Sequence, residues 1–264
     1  MNSFYCSINI SKQAIHRLID RRMQHNQECS LILNIVAKVR ADHPTLSCRA
    51  MYYKINPISM GRDAFEDMCY QYGYKTEQVR SKHRTTDSSG VIRFENLTIG
   101  INLTAINQLF SSDITYFEIN EKFYYITFVM DCFSRFILGY SVSSRLTTEQ
   151  TTLPALTQAI KKRGNTIPEN IILHSDGGGQ YYDKEFLKLT NKYKMRNSMC
   201  EFAWENGKAE RINGIIKNNY LKHYDIKSFA HLVEKVDLAV SLYNNDRPHK
   251  SLKYKTPKHY ENIY

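Results

Sequence analysis

Apolar residues recur at helical spacing over Ala14, Ile15, Leu18 and Ile19 behind the hydroxyl of Ser11, so a helix through about Met23 is predicted. A second helix follows over Gln27 to Ala41, with Leu31, Ile32, Ile35, Val36 and Val39 apolar and the His43-Pro44 pair as its stop. Two shorter helices, Arg49 to Lys54 and Asp63 to Tyr72, flank a turn at Asn56-Pro57, and Gly73 supplies a C-terminal cap. Lys75 to Asn107 is polar and reads as a linker. The texture then changes. Ser112 to Ile119, Phe123 to Asp131 and Phe136 to Ser143 are β-branched and aromatic runs joined by short turns, which predicts three consecutive antiparallel strands. Thr148 to Arg163 reads as a helix, Asn170 to Ser175 as a buried strand, and Asp183 to Tyr193 as a helix. Asn197 to Cys200 is a short strand, and Asn206 to Leu221 is a helix with Ala209, Ile212, Ile216 and Tyr220 on its buried stripe. The order is that of a mixed α/β domain.

Charge sharpens this picture. The chain has 264 residues and a formal net charge of +10, which fits a polyanionic partner. Residues 1–109 and 206–264 each carry +5, while 110–205 are neutral. A balanced centre between basic flanks suits a core that needs carboxylates while its neighbours hold nucleic acid. The helices before residue 75 fit a helix-turn-helix module, with a small protein-contact bundle as the alternative. In the linker, Arg80, Lys82 and Arg84 could track phosphates, as could Arg247 and Lys250 in the basic tail. The cysteines are scattered without a C-x-x-C pair, which argues against a zinc site or a disulfide framework. With no membrane-length apolar run and no signal-peptide pattern, a cytoplasmic protein is expected.

Three carboxylates stand out by position. Asp113 lies in the first strand (SSDITYF), Asp176 just past the buried strand (HSDGGGQY), and Glu210 on the last helix of the α/β layout. If the first and fourth strands are neighbours and that helix packs across them, the three acids can converge. Gathered carboxylates resist joint ionisation, and hard divalent cations remove that penalty. Oxygen-only ligands suit Mg²⁺, with Mn²⁺ as a substitute, and two such ions can serve phosphodiester chemistry. Asn213 and Lys217 share the stripe of Glu210.

SSDITYF, FYYITFVMDCFSRFILGYSVS, HSDGGGQY, ENGKAERINGIIK and YNNDRPHKSL-x-x-x-TP run in one order over about residues 110–257. In these pieces the chain resembles the second-frame (OrfB) transposases of the insertion-sequence family numbered three, whose core is similar to the retroviral integrase catalytic domain. The resemblance implies an RNase H-like fold, a five-stranded mixed sheet with flanking helices, preceded by a helix-turn-helix region. It implies Asp113, Asp176 and Glu210 as catalytic metal ligands and Lys217 as a DNA contact, to which Asn213 and Arg211 on the same helix are added. It implies metal-dependent DNA cleavage and strand transfer at element ends and target, passing through a circular intermediate. It further implies a first-frame (OrfA) partner or fusion, a homo-oligomeric synaptic complex, and a place at the bacterial nucleoid. Two departures concern the loops. Gly177 and Gly179 replace the family's usual Arg and Ser, and Glu205-Asn206-Gly207 replaces Asp-Asn-Ala.

Rival assignments remain in the sequence. Asp131 competes with Asp113, though it also reads as a turn residue tying down Ser134 or Arg135. Glu205 competes with Glu210 and alternatively stabilises a helix N-terminus. His174-Ser175-Asp176 has the residue types of a hydrolase triad without a nucleophile elbow. His174 and Gln180 stand near substrate or in packing, and Trp204 in core or interface. The expected organisation is residues 1–75 helical and DNA-binding, 76–107 linker, 108–225 catalytic core, and 226–264 basic helical extension and tail. A DNA-binding protein with an inactive core, and an RNase H-type nuclease without strand transfer, are the alternative functions.

Overall fold

The computed structural model describes residues 11–76, 94–200 and 206–263. The chain forms two compact units, with residues 43–45 belonging to the second. In the first, α1 (Lys12–Asp42) is one continuous helix where the sequence predicts two. Gln24, His25 and Asn26 at the expected break contain neither Gly nor Pro, so nothing interrupts the hydrogen-bond ladder. Ile32, Val36 and Val39 are buried, but Leu18, Ile19, Leu31 and Ile35, predicted on buried faces, are exposed. α2 (Cys48–Ile55) begins at Ser47, whose hydroxyl accepts from the Ala50 amide at 3.2 Å. α3 (Arg62–Gln71) is tied to α2 by Arg49, whose Nε donates to Glu66 at 2.8 Å.

The second unit holds β1 (Leu109–Ile119), β2 (Lys122–Asp131), β3 (Ile137–Ser143), α4 (Thr152–Lys162), β4 (Ile172–Ser175), α5 (Lys184–Lys192), β5 (Arg196–Met199) and α6 (Gly207–Asn219). α7 (Phe229–Asn245) and α8 (Pro257–Glu261) follow. The five strands lie in the order β3-β2-β1-β4-β5, antiparallel on the β3 side of β1 and parallel on the β4 side. Strand alternation divides the core between the two faces. Leu109, Phe128 and Met130 pack with Ile212 and Ile216 of α6 and Val236 and Val240 of α7. Phe110, Val129 and Leu138 pack on the opposite face with Ala155 and Leu156 of α4 and Phe186 of α5. Gly139 lets α4 lie directly on β3, since a Cβ there would collide with the Ala155 carbonyl oxygen.

Residues 226–264 are not an appendage to the core, because α7 fills one face of the sheet and α8 closes on the β2–β3 turn. Asn244 of α7 accepts from the Ile137 amide and donates to its carbonyl, both at 2.9 Å, so the edge strand β3 is partly covered. At the turn, Asp131 is fully buried and accepts from the amides of Asn107, Phe133 and Ser134 and from Arg163. Glu261 of α8 completes the network, accepting from Arg163 Nη2 at 2.7 Å and from the Ser134 hydroxyl.

Removing Glu261 leaves Arg163 with Asp131 as its remaining carboxylate. We expect Glu261→Ala to destabilise the chain by about 2 kcal/mol, below the roughly 3–5 kcal/mol of a fully broken buried pair. Urea unfolding at constant slope reads this, and an unchanged midpoint would show that α8 does not hold the turn.

Candidate active site

Strand register brings the first two acids together. Ser111 of β1 pairs with His174 of β4 in parallel, and two residues further along each strand stand Asp113 and Asp176. Side chains two apart share a face and neighbouring strands lie about 4.8 Å apart, so the two carboxylates are set beside each other on the face that α6 covers. Asp113 Oδ1 accepts from the Ile114 amide at 3.0 Å, and its Oδ2 from Asn213 Nδ2 of α6 at 2.7 Å. Asp176 Oδ1 accepts from the Gly178 amide at 3.1 Å.

Electrostatics records the crowding. Burial raises the Asp113 carboxyl to about 8, and the charges of Asp176 and Glu210 push in the same direction. Burial raises Asp176 as well, against the lowering effect of its loop hydrogen bonds. Glu210 is exposed on α6, one turn before Asn213. Among the described residues no three His, Cys, Asp or Glu side chains stand close enough to hold one ion together. The structure thus pairs Asp113 with Asp176 and leaves Glu210 at the rim, near enough for its charge to act on Asp113.

Two residues missed in the sequence set this geometry. Asn206, just before α6, accepts from the Ser111 hydroxyl at 2.6 Å and donates to the Ser112 carbonyl at 3.2 Å. Tyr181 meets the Ser112 hydroxyl at 2.9 Å and ties the loop after Asp176 to β1. Asn206 stands at a helix start, where asparagine reads as a cap, yet its side chain makes no capping bond and spans to the strand instead. Gly177 has φ 79°, a left-handed conformation strained for any L side chain, and a Cβ there would also displace the Met199 side chain, so this backbone disfavours the family's arginine.

The remaining candidates scatter. Lys217 Nζ sits 4.2 Å from the centre of the Tyr116 ring, half-buried, with its pKa lowered by burial and then by Lys222. Asn213 is buried against Asp113, Arg211 is exposed on α6, Arg247 is half-buried and Lys250 exposed. Asp131 has its carboxylate enclosed in the turn network, which is the turn role weighed against Asp113. His174 Nδ1 meets Ser198 Oγ at 2.9 Å inside the sheet, a packing role with no triad geometry. The backbone carbonyl of Gln180 accepts from Thr152 at 3.1 Å. Arg80, Lys82, Arg84, Trp204 and Glu205 lie outside the described residues.

With this geometry in place, the comparisons with known proteins converge. Two profiles described as integrase core domain match residues 104–203 and 192–257. An integrase core domain thus extends over residues 104–257, and among the relatives that resemble this chain are insertion-sequence proteins. The chain is similar to the insertion element IS600 uncharacterized 31 kDa protein of Shigella sonnei, with 28% identity over 79% of this chain and 78% of that protein. It is also similar to transposase InsF for insertion sequence IS3fB of Escherichia coli (strain K12), with 37% identity over 69% of this chain and 62% of that protein. The chain therefore spans less than two thirds of the length of the InsF relatives. A chain of the simian T-cell lymphotropic virus intasome in complex with PP2A regulatory subunit B56 gamma superposes with a TM-score of 0.51 at 21% identity, covering 60% of this chain and 55% of that one. The fold is RNase H-like, of the integrase type.

The raised Asp113 pKa carries a pH signature. The folded chain keeps this proton up to about pH 8, while the unfolded carboxyl loses it near the ordinary value of 3.8. The folded state binds the extra proton between those values, so stability falls as pH rises through that window. In EDTA, Asp113→Asn should therefore unfold at a higher temperature than wild type at pH 8, by roughly a few degrees. The gain should vanish near pH 4. Thermal scans at the two pH values check this, and an equal difference at both would contradict it.

Proposed function

We propose that this chain cleaves and joins DNA strands for the mobility of an insertion sequence, with Asp113, Asp176 and Glu210 as its metal-binding catalytic acids. The observation that carries the reading is the proximity of Asp113 and Asp176, each two residues past the last β1–β4 register pair, with Asn213 of the Glu210-bearing helix bonded to Asp113. The donor set fits a hard divalent cation. It is oxygen-only, its two aspartates resist joint ionisation, and the Asn213 Oδ1 beside them is buried without a hydrogen-bond partner. Mg²⁺, replaceable by Mn²⁺ and bound as two ions, would lower the pKa of the attacking oxygen and stabilise the leaving oxygen of a phosphodiester.

The chain's own residues do the positioning. Asn213 holds the Asp113 carboxylate from α6, the Gly178 amide holds Asp176, and Asn206 fixes the start of α6, the helix that carries Glu210 at the rim. Water attacks a phosphodiester at the element's end, the P–O bond to the 3′-oxygen breaks, and that oxygen leaves as a hydroxyl. The freed 3′-hydroxyl then attacks a phosphorus of a second strand, losing its proton as that strand's own 3′-oxygen departs. Lys217, Asn213, Arg211, Arg247 and Lys250 lie along the expected DNA path, with Arg80, Lys82 and Arg84 in the linker. The helical first unit serves as the DNA-recognition module, and a first-frame protein and a second copy of this chain complete the synaptic complex. No helix among the described residues is long and apolar enough to cross a membrane; action at the bacterial nucleoid is part of the proposed function.

A nicking and strand-joining assay on labelled duplex carrying the element's ends tests the reading. Joined products are expected with wild type in Mg²⁺ or Mn²⁺, falling to background in EDTA and in Glu210→Gln. Cleavage without joining would identify a nuclease instead. Binding without chemistry, persisting when the first-frame partner is added, would identify an inactive core.

A further inference from the structure

The guanidinium groups outside the acid pair divide into two kinds. Arg49, Arg62 and Arg163 each form an ion pair with a carboxylate. Among the described residues, Arg135, Arg211 and Arg247 form none, although their three charges all act on one buried ring pair, Tyr243 and His249. Those two rings meet edge to face at 4.7 Å. Burial, reinforced by the arginines, holds His249 down to about 3, so its imidazole stays neutral. Two nitrogens at this place are buried without a hydrogen-bond partner, Arg247 Nη1 and His249 Nε2. Arg247 also hydrogen-bonds Tyr220, so its Nη1 and His249 Nε2 are the two buried nitrogens left open here, beside the half-buried Arg135 and the exposed Arg211, with no carboxylate paired to any of the three arginines.

The backbone is built to keep it so. Arg135 is held at φ 64°, a left-handed conformation uncommon for a side chain of this size, by the turn that Asp131 caps. The Arg247 amide donates to the Leu242 carbonyl at 2.8 Å, and its guanidinium lies 5.7 Å over the Tyr220 ring. The carboxylate next to it in sequence, Asp246, is engaged with His43 at 2.7 Å. His249 is fixed by backbone bonds to Lys255 and Tyr254. Arg211 follows Glu210 directly on α6, which sets the cluster beside the acid-bearing face.

We propose that Arg135, Arg211 and Arg247 close around His249 as a single phosphate-binding notch that grips one backbone phosphate of the DNA strand. The notch takes a tetrahedral phosphate oxyanion, with the guanidinium forks donating and the neutral His249 ring forming its floor. Its assignment to DNA rests on the function proposed above; its affinity for phosphate does not.

The experiment uses the full chain in EDTA, so that no chemistry is needed. Binding to a short fluorescein-labelled duplex is followed by anisotropy across a salt series for wild type and for Arg135→Gln, Arg247→Gln and the Arg135→Gln/Arg211→Gln/Arg247→Gln triple variant. One phosphate shared by three arginines predicts that the triple variant lowers the salt slope by roughly 1, no further than a single variant does. A methylphosphonate scan of the same duplex should find one position where neutralising the phosphate weakens wild type and leaves the triple variant unaffected. Inorganic phosphate should raise the unfolding temperature of wild type and not of the variants, each compared with itself without phosphate. Unchanged slopes, or losses that add across separate phosphate positions, would overturn the notch while leaving strand joining intact. Stabilisation by inorganic phosphate through these arginines, in a chain that binds no duplex, would keep the notch and instead sink the DNA reading.

Discussion

The site depends on one docking interaction, the seating of α6 along β1. Asn206 bridges the Ser111 hydroxyl and the Ser112 carbonyl at the start of the helix, and Asn213 meets Asp113 two turns later. Between them Ala209 and Ile212 are buried, and Ile216 follows in the same core as Leu109, Phe128 and Met130. The hydrophobic stripe supplies the adhesion, and the two asparagines supply the register. A slip of one residue along α6 would rotate Glu210 by about 100° away from Asp113. Polar bonds of modest individual strength therefore decide where Glu210 stands.

Around that axis the charges are sorted by whether the fold satisfies them. Asp131, Arg163 and Glu261 are buried and mutually paired, with backbone amides meeting the remaining lone pairs of Asp131. Asp113 and Asp176 lie on the same sheet with no cationic partner among their perturbing groups, and both are driven toward the protonated form. The contrast separates a structural carboxylate from a ligand-seeking one more firmly than strand position does, since Asp131 also ends a strand. In the first group the counter-charge is built in. In the second it must come from outside.

Much of this was legible in the chain. Runs of β-branched and aromatic residues joined by short turns locate β1 to β3, the apolar NIILHS segment locates β4, and the nearness of Asp113 to Asp176 follows once β1 and β4 are neighbours. The turn role of Asp131 was also readable from the residues that follow it. The misses have physical causes. The break expected between Met23 and Gln27 rested on an interrupted apolar pattern, and helices end at Gly, Pro or a cap rather than at a pattern change. α7 escaped definition as a core element because the basic tail after it masked its buried face, Leu232, Val236, Ala239, Val240 and Tyr243. Asn206 and Tyr181 act across some 94 and 69 residues of sequence, and no local pattern marks such long-range bonds.

The C-terminal segment also shows why net charge understates what a partner meets. Residues 206–264 carry six acidic groups against eleven basic ones. Four of the acids have their charge drawn into contacts: Asp246 on His43, Glu261 on Arg163, Asp237 on the Tyr140 hydroxyl and Glu234 on Lys235. Asp225 pairs with Lys227, which leaves Glu210 as the acid facing the site. Lys217 is held over Tyr116, while Arg211, Lys250 and Lys253 stay open to solvent. Folding thus engages most of these carboxylates in pairs or hydrogen bonds while Arg211, Lys250 and Lys253 remain exposed, so cations are open to a polyanion on this segment. A polyanion approaching the face of α6 meets that field before it reaches Asp113 and Asp176, and the same field disfavours any competing acidic segment of the chain.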